Sequence, residues 1–318
     1  MMKKLSKKCF LLALMCLYTT ENASGQSATQ GCNATFCVLS TQNADDRDDI
    51  ISTYFKNFEI LSTSEQWGEI IAQGSAALEV AKQSNRPSDE AKICAQLTST
   101  AFYMGNYHQA LVYATRCHEL AETFDDPALF IRALYLESAI YRAFAGKEEQ
   151  EAAQQASFVR AIEICEEAAH LYCKMEVENI NLKGKIYFNL GAAHADNPKG
   201  DLAKAENCYA IAVECFKHVN ASDDLIRTTI RLGKVYLLRN DYKHCQQMVN
   251  EVRPLISTER LSMHADYLEA QLKFALHDYK EAKKIVLAGL EKAKALGAKE
   301  DELRLSLLLQ KIENALDL

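Results

Sequence analysis

The sequence predicts an all-α fold, a right-handed superhelical solenoid of antiparallel helix pairs that ends in a capping helix. The main observation is a short turn followed by an aromatic residue or Leu and, three positions later, by a small residue. This pattern recurs about every forty residues, at Gly105–Ala110, Gly200–Ala205, Asn240–Cys245 and His277–Ala282. Repeats of this period are typical of stacked helical hairpins. Gly (12) and Pro (4) are also scarce, which favours helices.

The first 25 residues have the layout of a secretory signal peptide. Four lysines precede the apolar stretch Cys9–Tyr18, and a short polar segment follows it. We therefore expect cleavage after Gly25 and a secreted or periplasmic protein. The alternatives are an uncleaved anchor and a cytoplasmic chain end. A lipoprotein cysteine at Cys16 is disfavoured, because the large Met15 precedes it.

The apolar stretch is too short to cross a bilayer, which takes about 20 residues. No later stretch approaches that length, so no membrane span is expected in the mature chain. A formal net charge of -7 argues against a nucleic-acid partner, for which a basic footprint is typical. The oligomeric state stays open.

Eleven cysteines are present, and two of them lie in the expected signal peptide. Most of the others occupy small, inward positions of the repeats, where Cys packs as a compact hydrophobe. Cys208 and Cys215 lie seven residues apart on one helix, roughly 10 Å along its axis, which is too far for a disulfide. Cys32 and Cys37 can close a small disulfide or remain two free thiols in a flexible arm.

The mature chain is expected to begin with a flexible arm, residues 26–45, which is rich in Ser, Thr, Gln and Asn. A helix starts near Asp46, because several aspartates there suit the positive end of a helix dipole. A second helix runs from about Ser64. Together they form a degenerate first repeat, and the turn Asn85–Ser88 follows them.

Five clearer helix pairs follow, with a longer acidic linker, Gly146–Glu151, inside the second of them. The predicted helices are Ala91–Tyr103 with Tyr107–Thr123, Ala128–Phe144 with one inside Gln155–Lys174, Ile180–His194 with Asp201–Lys217, Asp224–Arg239 with Asp241–Val252, and Leu261–Leu276 with Asp278–Leu296. Residues 46–298 thus hold about six hairpins. The segment 299–318 is the capping helix. The leucines and isoleucine expected to cover the end of the stack are Leu303, Leu305, Leu307, Leu308, Ile312 and Leu316.

At these positions the chain resembles the tetratricopeptide-repeat family. Small residues stand at the matching places in the first helices, as Gly191, Gly233 and Ala270, and in the second helices after each turn. Small residues let two helices cross closely, and aromatic residues fill the gaps. The period departs from the family's usual thirty-four residues. Longer helices of this kind resemble those of bacterial sensor and peptide-responsive regulators, although no output segment is present here.

The sequence contains no phosphate loop, metalloprotease motif or nucleophile elbow, so neither an enzyme nor a cofactor is expected. His118 beside Glu119 and Glu122 is interpreted as a solvated helix face rather than a metal site. His194 falls in a packing position, where a core or groove histidine is expected. An enzyme with a hidden site would need a buried cluster of titratable groups.

In the family that the chain resembles, the first helix of each pair, the A helix, lines the concave face. The five clear A helices, the last counted over Thr258–Phe274, carry a summed formal charge of +6. A basic inner groove in an acidic protein predicts an anionic ligand. Random scatter in a small count is the alternative interpretation.

One group of polar residues in the expected groove resembles part of a carboxylate clamp. Domains of this family that grip a peptide's C-terminal carboxylate carry Asn, Lys or Arg, and Arg at the positions of Asn189, Arg227 and Arg231. The two arginines are four residues apart, so both point the same way on a helix. The family's remaining pair is absent, because Tyr135 and Ala139 stand at those positions. Two solvated arginines are the alternative.

Lys185 and Lys234 lie on the same wall, and Tyr135, Phe188 and Ile230 are placed to give an extended peptide apolar contacts. We therefore expect an exported interaction module that binds a protein segment or peptide in its groove. The alternative is a sensory or regulatory subunit that binds a signal peptide and changes the pitch of its superhelix.

Overall fold

A computed structural model describes residues 44–317, and every regular element in that range is helical. The chain divides into two units, Met1–Asp49 and Ile50–Leu318, and the helical repeats lie in the second. The expected signal peptide, most of the expected arm and the Cys32–Cys37 pair lie outside the described residues. No helix in the described range is long and apolar enough to cross a membrane.

Thirteen α-helices follow one another between residues 44 and 317, joined by turns. They are α1 (Ala44–Thr63), α2 (Trp67–Gln83), α3 (Pro87–Tyr103), α4 (Tyr107–Phe124), α5 (Pro127–Ala145), α6 (Glu151–Tyr172), α7 (Ile180–Asp196), α8 (Leu202–His218), α9 (Ser222–Leu238), α10 (Tyr242–Val252), α11 (Glu259–Ala275), α12 (Tyr279–Ala295) and α13 (Lys299–Leu316). Consecutive helices pair as six hairpins, and α13 follows them. A short 3₁₀ turn, Arg253–Leu255, extends α10.

The recurring turn motif ends one helix and starts the next. Gly105 and Asn240 adopt left-handed backbone conformations, with φ of 74° and 58°, which ends α3 and α9. The residue after each of them is the N-cap of the next helix. Asn106 accepts a hydrogen bond from the backbone N–H of Gln109, and Asp241 accepts one from that of His244. This explains the short polar turns that precede Tyr107 and Tyr242.

Small residues permit the close helix crossings that the sequence predicts. A methyl group added to Gly184 in α7 would lie 2.7 Å from the ring of Phe216 in α8. One added to Gly233 in α9 would lie 2.7 Å from Leu268 in α11. Contacts this short do not occur between real side chains, so these glycines set how closely the helices approach.

Several helix ends differ from the sequence expectations. Helix α3 begins at Pro87, inside the expected turn, because Pro suits the first turn of a helix. Helix α6 begins at Glu151, at the end of the expected linker. Helix α7 extends two residues beyond its expected end at His194, to Asp196, and this extension changes the candidate site described below.

The capping helix covers the last hairpin with only part of its apolar surface. Leu305, Leu308 and Ile312 are buried against α12, whereas Leu303 and Leu307 are exposed. Leu316, in the last turn, is exposed as well. The expectation that all six apolar side chains cover the stack is therefore wrong for Leu303, Leu307 and Leu316.

The seven described cysteines are all free thiols, and only Cys173 among them is exposed. Burial raises the pKa of Cys94, Cys117 and Cys245 to about 12, so these thiols stay protonated and unreactive at neutral pH. Their role in the described part of the chain is packing, as the sequence indicates.

Candidate functional site

The A helices α3, α5, α7, α9 and α11 form one continuous layer. Each packs against the next A helix as well as against its hairpin partner, and α11 also packs against α13. We call the surface of this layer the A-helix face. It is the surface on which the sequence placed the groove, and three of its helices bring charged side chains together.

Three of these helices hold a carboxylate among three cations. Asp196, at the end of α7, accepts hydrogen bonds from Arg142 Nη1 at 2.7 Å, from Arg231 Nη1 at 3.1 Å and from Lys234 Nζ at 2.8 Å. Arg142 comes from α5, and the other two cations come from α9. We call these four residues the Asp196 cluster. Arg231 and Lys234 were predicted to receive a ligand's negative group, and here they hold a carboxylate of their own chain.

The charges of the cluster act strongly on one another. Burial works to raise the pKa of Asp196, but Arg231, Arg142 and Lys234 together hold it well below its usual range. Burial also lowers the pKa of Lys234, and the guanidinium groups of Arg231 and Arg142 lower it further, against the opposing effect of Asp196. Burial is thus the main reason for the lowered pKa of Lys234, and Asp196 partly offsets it.

A second cluster of the same kind is electrically balanced. In α11, Asp266 accepts hydrogen bonds from Arg253 Nη1 and from Lys292 Nζ, each at 2.6 Å. Arg253 also pairs with Glu269. Two cations here face two carboxylates, whereas the Asp196 cluster has three cations and one carboxylate.

Arg227, the other predicted arginine, is held by a distant part of the chain. Its Nη1 donates to the hydroxyl of Tyr103 at 3.0 Å, and its guanidinium lies 5.8 Å from the centre of that ring. The Tyr103 ring stacks on Trp67 at 5.1 Å. Arg227 and Arg231 lie one turn apart on α9 as predicted, but the structure gives them different partners.

A salt bridge beside this contact joins the first hairpin to the sixth. Glu65, in the turn between α1 and α2, pairs with Arg260 in α11, whose Nε lies 2.8 and 2.9 Å from the two carboxylate oxygens. The two residues are 195 positions apart in sequence. We call the Glu65–Arg260 and Tyr103–Arg227 contacts the clasp.

The remaining predicted polar residues also have partners in the chain. Lys185 forms a salt bridge with Asp224 at 2.6 Å. Asn189 is buried, and its side-chain amide donates to the backbone carbonyl of Lys185 at 2.9 Å. Asn189 therefore faces its own helix rather than Arg231.

The predicted apolar contacts are less exposed than a ligand would require. Tyr135 and Ile230 are 8% and 9% exposed and belong to the core between the hairpins. Phe188 is half-buried and packs edge-on against Tyr209, with the ring centres 5.9 Å apart. Of these three side chains, Phe188 alone presents appreciable surface, so the expectation for Tyr135 and Ile230 is corrected.

The positive charge of the face is local rather than general. Over the observed bounds of the five A helices, the summed formal charge is +1 instead of +6. The observed helices add four acidic residues and exclude one arginine. These residues are Asp89, Glu90, Asp196, Asp223 and Arg239. The surplus positive charge therefore lies in the Asp196 cluster rather than in the A helices as a whole.

Sequence reasoning missed Arg142, Asp196 and Tyr209, the residues that define the cluster's surroundings. Tyr209 is fully buried, and its hydroxyl has no hydrogen-bond partner. Pro198 was a usable signal for Asp196. Helices usually end at or before the residue that precedes a proline, so α7 could be expected to continue as far as Asp196 or Asn197. Arg142 and Tyr209 gave no local signal, since their roles depend on which helices become neighbours.

The histidines singled out from the sequence have ordinary structural roles. His118 lies 3.2 Å from Glu137, which raises the pKa of the imidazole, and it is not bonded to Glu119 or Glu122 as a ligand set would require. His194 is buried, and burial lowers its pKa. Within residues 44–317, no three His, Cys, Asp or Glu side chains are placed to hold a metal ion.

Comparison with known proteins identifies the fold and no family. No protein-family model matches the chain, and no curated protein matches it. Among solved structures, BtubC (BKLC) from P. vanneervenii is 18% identical, with a TM-score of 0.54 over 73% of this chain and 92% of that one. A Rap protein complexed with Competence and Sporulation Factor is 10% identical, with a TM-score of 0.53 over 84% and 76%.

The quorum sensor NprR from B. thuringiensis, in its apo form, is 12% identical, with a TM-score of 0.52 over 85% of this chain and 76% of that one. These identities establish the fold alone. The chain is an all-α helical repeat protein with a tetratricopeptide-like solenoid, as the sequence predicted.

Proposed function

We propose that the chain binds a peptide or an extended protein segment along its A-helix face and has no catalytic activity. The observation that carries this proposal is the Asp196 cluster, where three cations share one carboxylate on the layer formed by the A helices. Surplus positive charge at a partly exposed site favours a ligand with a negative group. Arg231 and Lys234 are the residues that receive it.

The neighbouring residues give the ligand further contacts once their present partners are exchanged. Arg227 is held by a neutral hydroxyl, and a ligand carboxylate in its place would add the Coulomb attraction of an ion pair to the hydrogen bond. Lys185 and Phe188, which are partly exposed on α7, extend the surface, whereas Asn189 is buried beneath it. Two of the similar structures, a Rap protein complexed with a factor and a quorum sensor, agree with a ligand-binding role for this fold.

Affinity capture from native extract tests the proposal. The full chain is compared with Arg227→Ala/Arg231→Ala and with a matched double variant, Arg160→Ala/Arg304→Ala, which removes the same charge from α6 and α13. Loss of a charge-assisted hydrogen bond weakens binding by roughly 1–3 kcal/mol. We expect a partner that the wild type and the control retain, that the first variant loses, and that high salt releases. A partner held equally by all three would place the binding site elsewhere.

We also propose that the chain is exported, on the basis of the n-, h- and c-region pattern of residues 1–25. N-terminal sequencing of the native protein tests this directly. A first residue at Gln26 is the expected result, and a native chain that begins at Met1 would contradict it.

The clasp supports a second candidate function, a sensory or regulatory subunit that changes shape when it binds a ligand. A ligand that takes Arg227 from Tyr103 also releases one of the two contacts that join early and late hairpins. Two spin labels, one at the α1–α2 turn and one at the start of α11, measure the separation with and without the captured partner. A change in the distance distribution supports the regulatory function, and an identical distribution supports a rigid binding module.

A further inference from the structure

We infer that the Asp196 cluster is a binding site for a doubly charged oxyanion, such as sulfate or a phosphate monoester, completed by Arg142 and Tyr209. The inference rests on the proposed function, because it specifies the negative group that the A-helix face receives. It adds two residues to the site and sets the charge of the ligand. Three observations carry it.

The first observation is the charge balance. Arg142, Arg231 and Lys234 carry three positive charges, and Asp196 is the only carboxylate between residues 44 and 317 that pairs with any of them. The cluster therefore keeps a net charge of +2. The structural cluster around Asp266, built from the same residue types, is neutral. A dianion would bring the Asp196 cluster to the same balance, and a single carboxylate would not.

The second observation is a pair of unused hydrogen-bond donors. The Arg142 Nε–H is buried and has no partner, although its Nη1 donates to Asp196. The Tyr209 hydroxyl is also buried without a partner, and the charges that act on it are those of Arg231, Asp196 and Arg142. Buried polar groups are almost always satisfied, so unpaired donors beside a positive cluster point to an acceptor-rich ligand. A tetrahedral oxyanion offers four acceptor oxygens.

The third observation is access. The side chains of Arg231 and Lys234 are 29% and 35% exposed, and that of Arg142 is 13% exposed. The cluster thus forms a partly open site on the A-helix face with one buried wall. At a site of net charge +2, a dianion gains about twice the Coulomb energy of a monoanion such as nitrate, so the cluster favours the dianion.

Binding of simple anions tests the inference without any protein partner. The chain is labelled with ¹⁵N-arginine, and the Nε–H signals of Arg142 and Arg231 are followed during titration with sulfate and, at matched ionic strength, with nitrate. We expect saturable shifts with sulfate at concentrations where nitrate gives much smaller ones. Arg142→Lys, which assigns one signal and keeps the charge, should weaken sulfate binding by about tenfold because it lacks the guanidinium donors.

Tyr209→Phe is the sharpest variant, because it removes the hydroxyl and keeps the packed ring. We expect sulfate binding about fivefold weaker, with the stability of the sulfate-free protein unchanged or raised. Tyr54→Phe is the matched control, since Tyr54 is equally buried, also carries an unpaired hydroxyl and lies in the first hairpin. It should bind sulfate like the wild type. Identical shifts with nitrate and sulfate, or unchanged affinity in Tyr209→Phe, would overturn the inference.

The source of the oxyanion is decided with inorganic phosphate, a short phosphoserine peptide and its unmodified counterpart. A phosphopeptide that binds more tightly than phosphate identifies a ligand chain, and equal affinities identify the free ion; both results support the site. Absence of any binding by sulfate, phosphate and phosphopeptide would reject it. The capture experiment with Arg227→Ala/Arg231→Ala still decides the peptide-binding proposal in that case.

Discussion

Replacing Asp196 by Asn should destabilise the protein strongly, although the two side chains have nearly the same shape. The substitution removes the only carboxylate from a site where Arg142, Arg231 and Lys234 converge within 3.1 Å of its oxygens. Three cations then face one another, partly buried and without a counter-charge. Breaking a buried ion pair by removing one partner costs about 3–5 kcal/mol.

A matched substitution in the balanced cluster isolates the effect of charge. In Asp266→Asn, Lys292 keeps a hydrogen bond to Ser262 at 2.7 Å and Arg253 keeps its salt bridge to Glu269. Asp266→Asn therefore leaves one uncompensated positive charge, and Asp196→Asn leaves three. We expect the loss of stability to be greater in Asp196→Asn by about 1 kcal/mol or more, the size of one desolvated charge-assisted hydrogen bond.

Urea unfolding followed by far-UV circular dichroism measures both variants. Helical repeats can unfold in parts, so the slopes of the transitions must agree before the free energies of unfolding are compared. Equal losses in the two variants, or a loss under about 1 kcal/mol in Asp196→Asn, would refute the argument from charge balance.

The difference in the free energy of unfolding between wild type and Asp196→Asn should also depend on pH in a characteristic way, which is an independent check. The pKa of Asp196 is depressed in the folded state, so its contribution to stability is present above the unfolded value of about 3.9 and is lost only as the pH falls through the lower folded value. The difference between wild type and Asp196→Asn should therefore persist at about pH 4, where ordinary carboxylates are being protonated.

Two further predictions concern packing and the clasp. Gly184→Ala should destabilise the protein by about 1–2 kcal/mol, because its methyl group would lie 2.7 Å from the buried ring of Phe216. Gly68→Ala, where the methyl group would have no atom within 4 Å, should stabilise α2 by up to about 1 kcal/mol. Thermal unfolding of the two variants shows whether the changes have these opposite signs. Glu65→Gln should cost under about 1 kcal/mol of global stability yet speed amide hydrogen exchange in the α1–α2 turn, because the partly exposed pair with Arg260 tethers that turn. Unchanged exchange would show that the pair tethers nothing.

Local chemistry made most of the helical fold predictable. The turn residues, the N-caps and the apolar period act within one or two turns of chain, so the helices could be placed to within a few residues. The errors concern helix ends, which do not depend on the spacing of apolar residues alone. Helix α3 starts at Pro87 because Pro is tolerated in a first turn, and α6 starts at Glu151, inside an acidic stretch that resembles a linker.

The candidate site was predictable only in part, because it depends on long-range neighbours. The spacing of Arg227 and Arg231 placed both on one face of α9 correctly, and nothing in the spacing identifies their partners. Asp196 was assigned to a turn, and two more helical residues bring its carboxylate into contact with α9 and α5. The Glu65–Arg260 contact spans 195 residues and depends on the accumulated rotation of several hairpins, which no periodic pattern specifies.

Arg227 and Arg231 already have partners in the chain, so a ligand must compete with those partners. At Arg227 the competitor is the neutral hydroxyl of Tyr103, and a charged acceptor has the advantage of the Coulomb attraction of an ion pair. At Arg231 the competitor is the carboxylate of Asp196, already shared with two other cations, so a ligand carboxylate gains nothing by exchange. A ligand therefore gains free energy at the cluster only by adding negative charge to it. We therefore expect the same face to bind an ordinary carboxylate at Arg227 and to favour a dianion one helical turn away.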